Sequence, residues 1–159
     1  MACCSGGVLV LRLWQSRFMA NGSMTVSERE EFLSEVHVAV LSVERAGRGP
    51  LALPVWYRYQ DGVIEIGMSG TSLKAELLRK AGRATITAQT ETPPYKYVAV
   101  ECSVTVEPIQ RDDFEMASRY LGPEMGRWYA ENNPSTAESV VARLTPDRWN
   151  TMDFAKLMG

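Results

Sequence analysis

A chain of 159 residues, 45% of them hydrophobic, suits one globular domain with a real core, and no second domain is expected. Its formal net charge of −2 supplies no basic field, which argues against nucleic acid and anionic lipid surfaces as partners. Cys3, Cys4 and Cys102 form an odd set without Cys-x-x-Cys spacing, which points away from a disulfide framework and towards a reducing, cytoplasmic setting.

The chain opens with residues 1–23, whose apolar run from Val8 to Trp14 is broken by Arg12. That run is too short to span a membrane and lacks the flanks of a signal peptide, so a disordered or non-native leader is expected, with the domain proper over 24–159. No other segment reaches membrane length, and no membrane partner is expected. Thr25-Val26-Ser27-Glu28 and Ser27-Glu28-Arg29-Glu30 both fit a capping box ahead of Phe32, Leu33 and Val36, so a helix should run from the late twenties to the mid-thirties.

Strands follow in quick succession. Residues 37–44 are β-branched and apolar, Gly47 to Pro50 turn the chain, and 51–59 alternate Leu51, Leu53, Val55, Tyr57 and Tyr59 against Ala52, Pro54, Trp56 and Arg58. Asp61-Gly62 is a hairpin signal into a strand over 63–68, so the first three strands read as an antiparallel meander. Residues 73–81 place Leu73, Leu77, Leu78 and Ala81 on one side of a helix that Gly82 should end. Strands over 83–89 and 97–106 come next, the second with Val98, Val100, Cys102, Val104 and Val106 on one face. Helices over 112–120 and 124–131 flank Gly122-Pro123, and 140–144 form a last strand with Pro146 at its exit or in an edge position. Six short strands with helical insertions suggest a closed or split antiparallel barrel with peripheral helices.

Familiar catalytic constellations are missing. His37 is the single histidine, with no second ligand at metal spacing, and it reads as a partly buried strand residue. Glu65 and Glu101 stand alone in strands, most simply facing outward. No nucleophile elbow, phosphate-binding lysine loop or dinucleotide fingerprint occurs, and no metal site is expected. Such a chain can still be an enzyme if a cofactor supplies the reactive centre.

The stretch 53–88 carries the strongest functional signal. Ser69, Thr71, Ser72 and Lys74 fall where a strand hands over to a helix N-terminus, where free N–H groups and the helix dipole attract anions. These residues fit a phosphate seat; they also fit a capped helix with a solvated lysine, which is the simpler account of them alone. Trp56, Tyr57 and Tyr97 could wall a flat slot or pack as ordinary strand aromatics. Arg79, Lys80 and Arg83 make a second basic group at the end of the same helix.

Pro54-Val55-Trp56, the Asp61-Gly62 hairpin, Ser72 and Lys74 in Ser-x-Lys, Leu78-Arg79 before Gly82-Arg83, and the closing Arg148-Trp149 and Asp153-Phe154 share one resemblance. With the length and element order from about Met24 to Phe154, they resemble the flavin and deazaflavin oxidoreductases of the pyridoxamine 5'-phosphate oxidase-like FMN-binding split-barrel superfamily. The resemblance implies a mainly β (α+β) fold, a six-stranded antiparallel split β-barrel of Greek-key type with peripheral helices. It implies a homodimer with a flavin-type cofactor at the subunit interface, and it implies Pro54, Val55, Trp56, Ser69, Thr71, Ser72, Lys74 and Arg79 as cofactor-binding residues. In such families a cation commonly stands two residues before the lysine and an asparagine three after it; here those places hold Ser72 and Leu77.

A single obvious cation favours the dissociable deazaflavin coenzyme F-420, with Arg79, Lys80 and Arg83 available to its anionic tail, over FMN. The implied activity is two-electron reduction of a small unsaturated or quinone-like molecule. The alternative is a non-catalytic, or haem-, bilin- or lipid-binding, protein on the same barrel.

Overall fold

In a computed structural model, residues 21–109 and 114–158 are described. The expected leader lies outside the described residues up to residue 20, as does Asp112, the expected start of the first helix of the 112–131 pair. In chain order the elements are α1 (Val26–Ser34), β1 (Ala39–Arg45), β2 (Arg48–Val55), β3 (Arg58–Gln60), β4 (Val63–Ser69) and α2 (Leu73–Ala81). Then come β5 (Arg83–Gln89), β6 (Lys96–Pro108), α3 (Phe114–Leu121), α4 (Pro123–Asn132), β7 (Ser139–Asp153) and a short 3-10 turn over Phe154–Leu157.

All strand pairs are antiparallel, in the order β2-β1-β5-β6-β7-β4-β3. The two edge strands, β2 and β3, are joined through only Trp56 and Tyr57, a link that spans about 10 Å at full extension. The sheet must therefore curl until its edges nearly meet, which makes a barrel split along one seam. Among the described residues, seven strands replace the six expected because the alternating run 51–59 is interrupted: its first part pairs with β1 and its last three residues with β4. The expected meander is corrected for the same reason, since the rest of the sheet lies between β2 and β3.

The core follows the alternation. Leu41, Tyr57, Ile64, Ile66, Ile86, Val98, Val100, Cys102 and Leu144 fill the barrel, while Phe32 and Leu33 of α1 and Leu78 of α2 pack against it. Thr25 caps α1 through the first of the two expected boxes, its hydroxyl accepting the Glu28 N–H and its own N–H donating to the Glu28 carboxylate. His37 lies before β1 rather than within it, stacked on Phe32 at 4.2 Å.

β7 extends well past the expected 140–144. Arg148 stands opposite Glu101 and Pro146 opposite Cys102, so Asp147 is the extra residue of a bulge that absorbs a proline without an amide hydrogen. Asp147 accepts a hydrogen bond from Arg83 at 2.8 Å.

The expectation that Glu65 faces water is also corrected. Its residue is 6% exposed, and its carboxylate lies between Arg58 at 2.5 Å and Arg143 at 2.8 Å. These are its direct cross-strand neighbours on β3 and β7, so pairing two opposite charges in register is what makes the carboxylate's burial tolerable.

Candidate functional site

The β4–α2 junction is built from hydrogen bonds within residues 69–79 and one backbone tie to a distant segment. The Gly70 N–H reaches the Glu138 carbonyl at 2.8 Å, and a Cβ at Gly70 would stand 2.6 Å from that oxygen, so only glycine permits the approach. The Ser72 hydroxyl donates to the Ser69 carbonyl at 2.7 Å and accepts the Ala75 N–H at 3.2 Å, which caps α2. Ser69 and Thr71 share a hydroxyl contact at 2.9 Å, and Arg79 donates to the Gly70 carbonyl at 2.7 Å.

Beside this junction lies a pocket of about 850 Å³, within the usual size range of small-molecule sites. Of the eight residues expected to hold a cofactor, the pocket brings together Pro54, Val55, Trp56, Ser69 and Lys74. Thr71, Ser72 and Arg79 are not in its lining; their polar groups shape and fasten the turn instead.

Lys74 is the second residue of α2 and half-buried, not the exposed lysine that the sequence implied. Burial lowers its pKa from the ordinary lysine value, and it has no hydrogen-bond or ion-pair partner among the described residues. A cation there is disfavoured twice, by lost solvation and by the positive end of the helix dipole. An anion in the pocket would relieve both. Hydroxyls of Ser69, Thr136 and Ser139 line the same pocket, and its described lining holds no carboxylate.

The opposite wall comes from the α3–α4 pair. Gly126 lets the two helices approach closely, since a Cβ there would lie 2.5 Å from the Ser118 hydroxyl. Trp56 is stacked on Tyr120 (5.1 Å between centroids, 7° between planes) and meets Tyr129 at 5.4 Å and 55°. It is thus a fixed wall of the pocket.

The slot suggested for Tyr57 and Tyr97 is not formed. Tyr57 is wholly buried in the core, where desolvation drives its phenol above the ordinary range, and Tyr97 reaches Asn150 at 3.4 Å away from the pocket. Tyr120, Tyr129 and Met116 were not singled out in the sequence as site residues. Their helices were foreseen, but nothing in a helical pattern says which face will close over Trp56.

The second basic group is dispersed. Lys80 is exposed, Arg79 is held by Gly70, and Arg83 pairs with Asp147 at 2.8 Å and Glu101 at 3.8 Å. Among the described residues no cluster of three or more His, Cys, Asp or Glu could hold a metal, and no helix is long and apolar enough to cross a membrane.

No family model and no curated protein sequence matches the chain. Solved structures do. The conserved hypothetical protein Rv2991 of Mycobacterium tuberculosis superposes with a TM-score of 0.72 at 20% identity, over 88% of this chain and 91% of that one. An FAD and haem binding protein of Mycobacterium smegmatis gives 0.62 at 15% identity, over 84% and 73%. An F-420 reductase gives 0.58 at 17% identity, over 76% and 94%.

Proposed function

We propose, from the premise that the chain has the pyridoxamine 5'-phosphate oxidase-like split-barrel fold, that its pocket binds the deazaflavin coenzyme F-420, with FMN as second choice, for reduction of a small unsaturated or quinone-like molecule in the cytoplasm. The observation that carries this reading is Lys74, a half-buried cation without a partner among the described residues, at a helix N-terminus inside a pocket of cofactor size. The donor set fits a phosphate-bearing planar group: Lys74 and the hydroxyls of Ser69, Thr136 and Ser139 would hold the phosphate. Pro54, Val55 and Trp56 would wall the ring system and exclude water from it. The bound group would supply hydride chemistry; this chain supplies binding, orientation and a dry wall.

Charge count sets the order of preference. A terminal phosphate monoester carries about −1.5 to −2 at neutral pH, whereas a phosphodiester carries a single negative charge, which one lysine matches. Arg83 is already paired and Arg79 already bonded, so the anionic tail of F-420 has mainly Lys80 to meet in this region. The preference therefore rests on the phosphate end. The same reading pairs two copies over the outer face of β1 and β2, where Val38, Val40, Ala52 and Pro54 are exposed next to the pocket.

Titration of the purified protein with F-420 and with FMN, followed in the visible spectrum, tests the ordering. Tighter binding of F-420 at low ionic strength is expected. Protein that purifies with stoichiometric FMN reverses the order, and a haem or bilin spectrum in its place overturns the reading.

A further inference from the structure

The register of β1 against β2 sets Ala39 opposite Val55 and Val40 opposite Pro54. Carried further in the same register, it would set Val38 opposite Trp56 and His37 opposite Tyr57. Neither pair forms. Where the ladder should continue stands the Tyr120 hydroxyl, which accepts the Tyr57 N–H at 2.9 Å and faces the carbonyls of Tyr57 and His37, each at 2.9 Å. One hydroxyl proton serves one of these carbonyls at a time. A single side-chain oxygen thus meets both backbone groups of Tyr57 and the carbonyl of the residue that would have been its strand partner.

Both members of the unformed Val38–Trp56 pair line the pocket. We propose that Tyr120 is a wedge that holds the β1–β2 ladder open, and that it is thereby the positioning residue for the Trp56 wall of the pocket. Its hydroxyl keeps the chain from zipping, and its ring fixes the indole that the opening releases. The value of the wedge for binding rests on the cofactor reading of the pocket; the wedge itself does not.

Without the hydroxyl, the buried Tyr57 N–H needs another acceptor, and the His37 carbonyl lies on the same ladder at the matching register. The expected consequence of Tyr120→Phe is closure. The phenyl ring can still stack on Trp56, so the barrel should fold, yet the Val38–Trp56 pair moves together and the pocket narrows.

Tyr120→Phe is compared with the native protein by F-420 titration, by NMR of the Trp56 indole N–H and Val38 methyl groups, and by hydrogen exchange of the Tyr57 amide. Affinity should fall on the order of tenfold, equivalent to loss of about one hydrogen bond of positioning. The Trp56 and Val38 signals should shift while the Tyr57 amide stays protected by its new partner. Unchanged affinity with unmoved Trp56 and Val38 signals overturns the proposal, and so does loss of Tyr57 protection without movement of Trp56, because Tyr120 would then only cap that amide. If the native protein binds neither F-420 nor FMN, the cofactor reading fails and the wedge is judged on the NMR signals alone: movement upholds it, and their constancy overturns it.

Discussion

At the β4–α2 end of the pocket, the turn and helix cap are closed by side-chain hydrogen bonds that reach no further than the nine residues between Arg79 and Gly70. At the Trp56 end, the hydroxyl that terminates β2 comes from Tyr120, 63 residues beyond the amide it binds. Apart from the backbone tie of Gly70 to the distant Glu138, the first end is specified by chemistry its own sequence carries. The second exists only when α3 is docked, so damage to α3 should open or shut one wall and leave the other in place.

The largest expected effect falls on the long-range wall. Tyr120→Leu removes both the ring stacked on Trp56 and the partner of the buried Tyr57 N–H, so unfolding free energy should drop by about 3 kcal/mol, read from urea denaturation. A drop below about 1 kcal/mol would mean that the Trp56-Tyr57 segment is held by other contacts and that the contrast between the walls is weaker than drawn.

Lys74→Ala addresses the local wall. Ligand binding should weaken by about 1.5–3 kcal/mol, the worth of a charge-assisted hydrogen bond, with stability nearly unchanged because the lysine has no partner among the described residues. Its pKa is lowered on folding, so the charged form is disfavoured in the folded state; that cost is present below the folded pKa and relieved as pH rises towards the ordinary value of 10.5. An anion that needs the protonated amine should accordingly bind less well as pH climbs through the alkaline range below 10.5. The alanine variant should lose that dependence, which isothermal titration across pH would show.

Ser72→Ala should cost about 1 kcal/mol of stability through loss of the α2 cap while ligand affinity stays close to native, because Ser72 faces the turn and not the pocket. Thermal unfolding checks the first part and titration the second. The smallest effect is an expected silence: Cys102 is fully buried, desolvation pushes its thiol up to about 12, and thiol reagents should leave it untouched until the protein unfolds.

The same division explains what could be read from the sequence. The helix over 73–81 was legible because Ser72 caps it, Gly82 ends it and Leu78 marks its buried side, all within one short segment. The faces of β6 were legible because Val98, Val100 and Cys102 keep a strict period of two on one buried face. The break at Trp56 was not legible, since 51–59 alternate without a flaw and a side-chain period carries no sign that the pairing partner changes from β1 to β4. Glu65 was misplaced for a related reason: the arginines that permit its burial, Arg58 and Arg143, become its neighbours only once β3, β4 and β7 are aligned. Within the site, Lys74 was found by its place at a helix start, whereas Tyr120 and Tyr129 depend on how two helices dock.

The measurement that bears most directly on the central claim is a paired F-420 titration of the native protein and Lys74→Ala at low ionic strength and neutral pH. Saturable binding by the native protein, weakened roughly ten- to hundredfold in the variant, is the predicted result. Equal affinity in the two proteins, or no binding by either, would contradict the assignment of this pocket and its lysine to a phosphate-bearing cofactor.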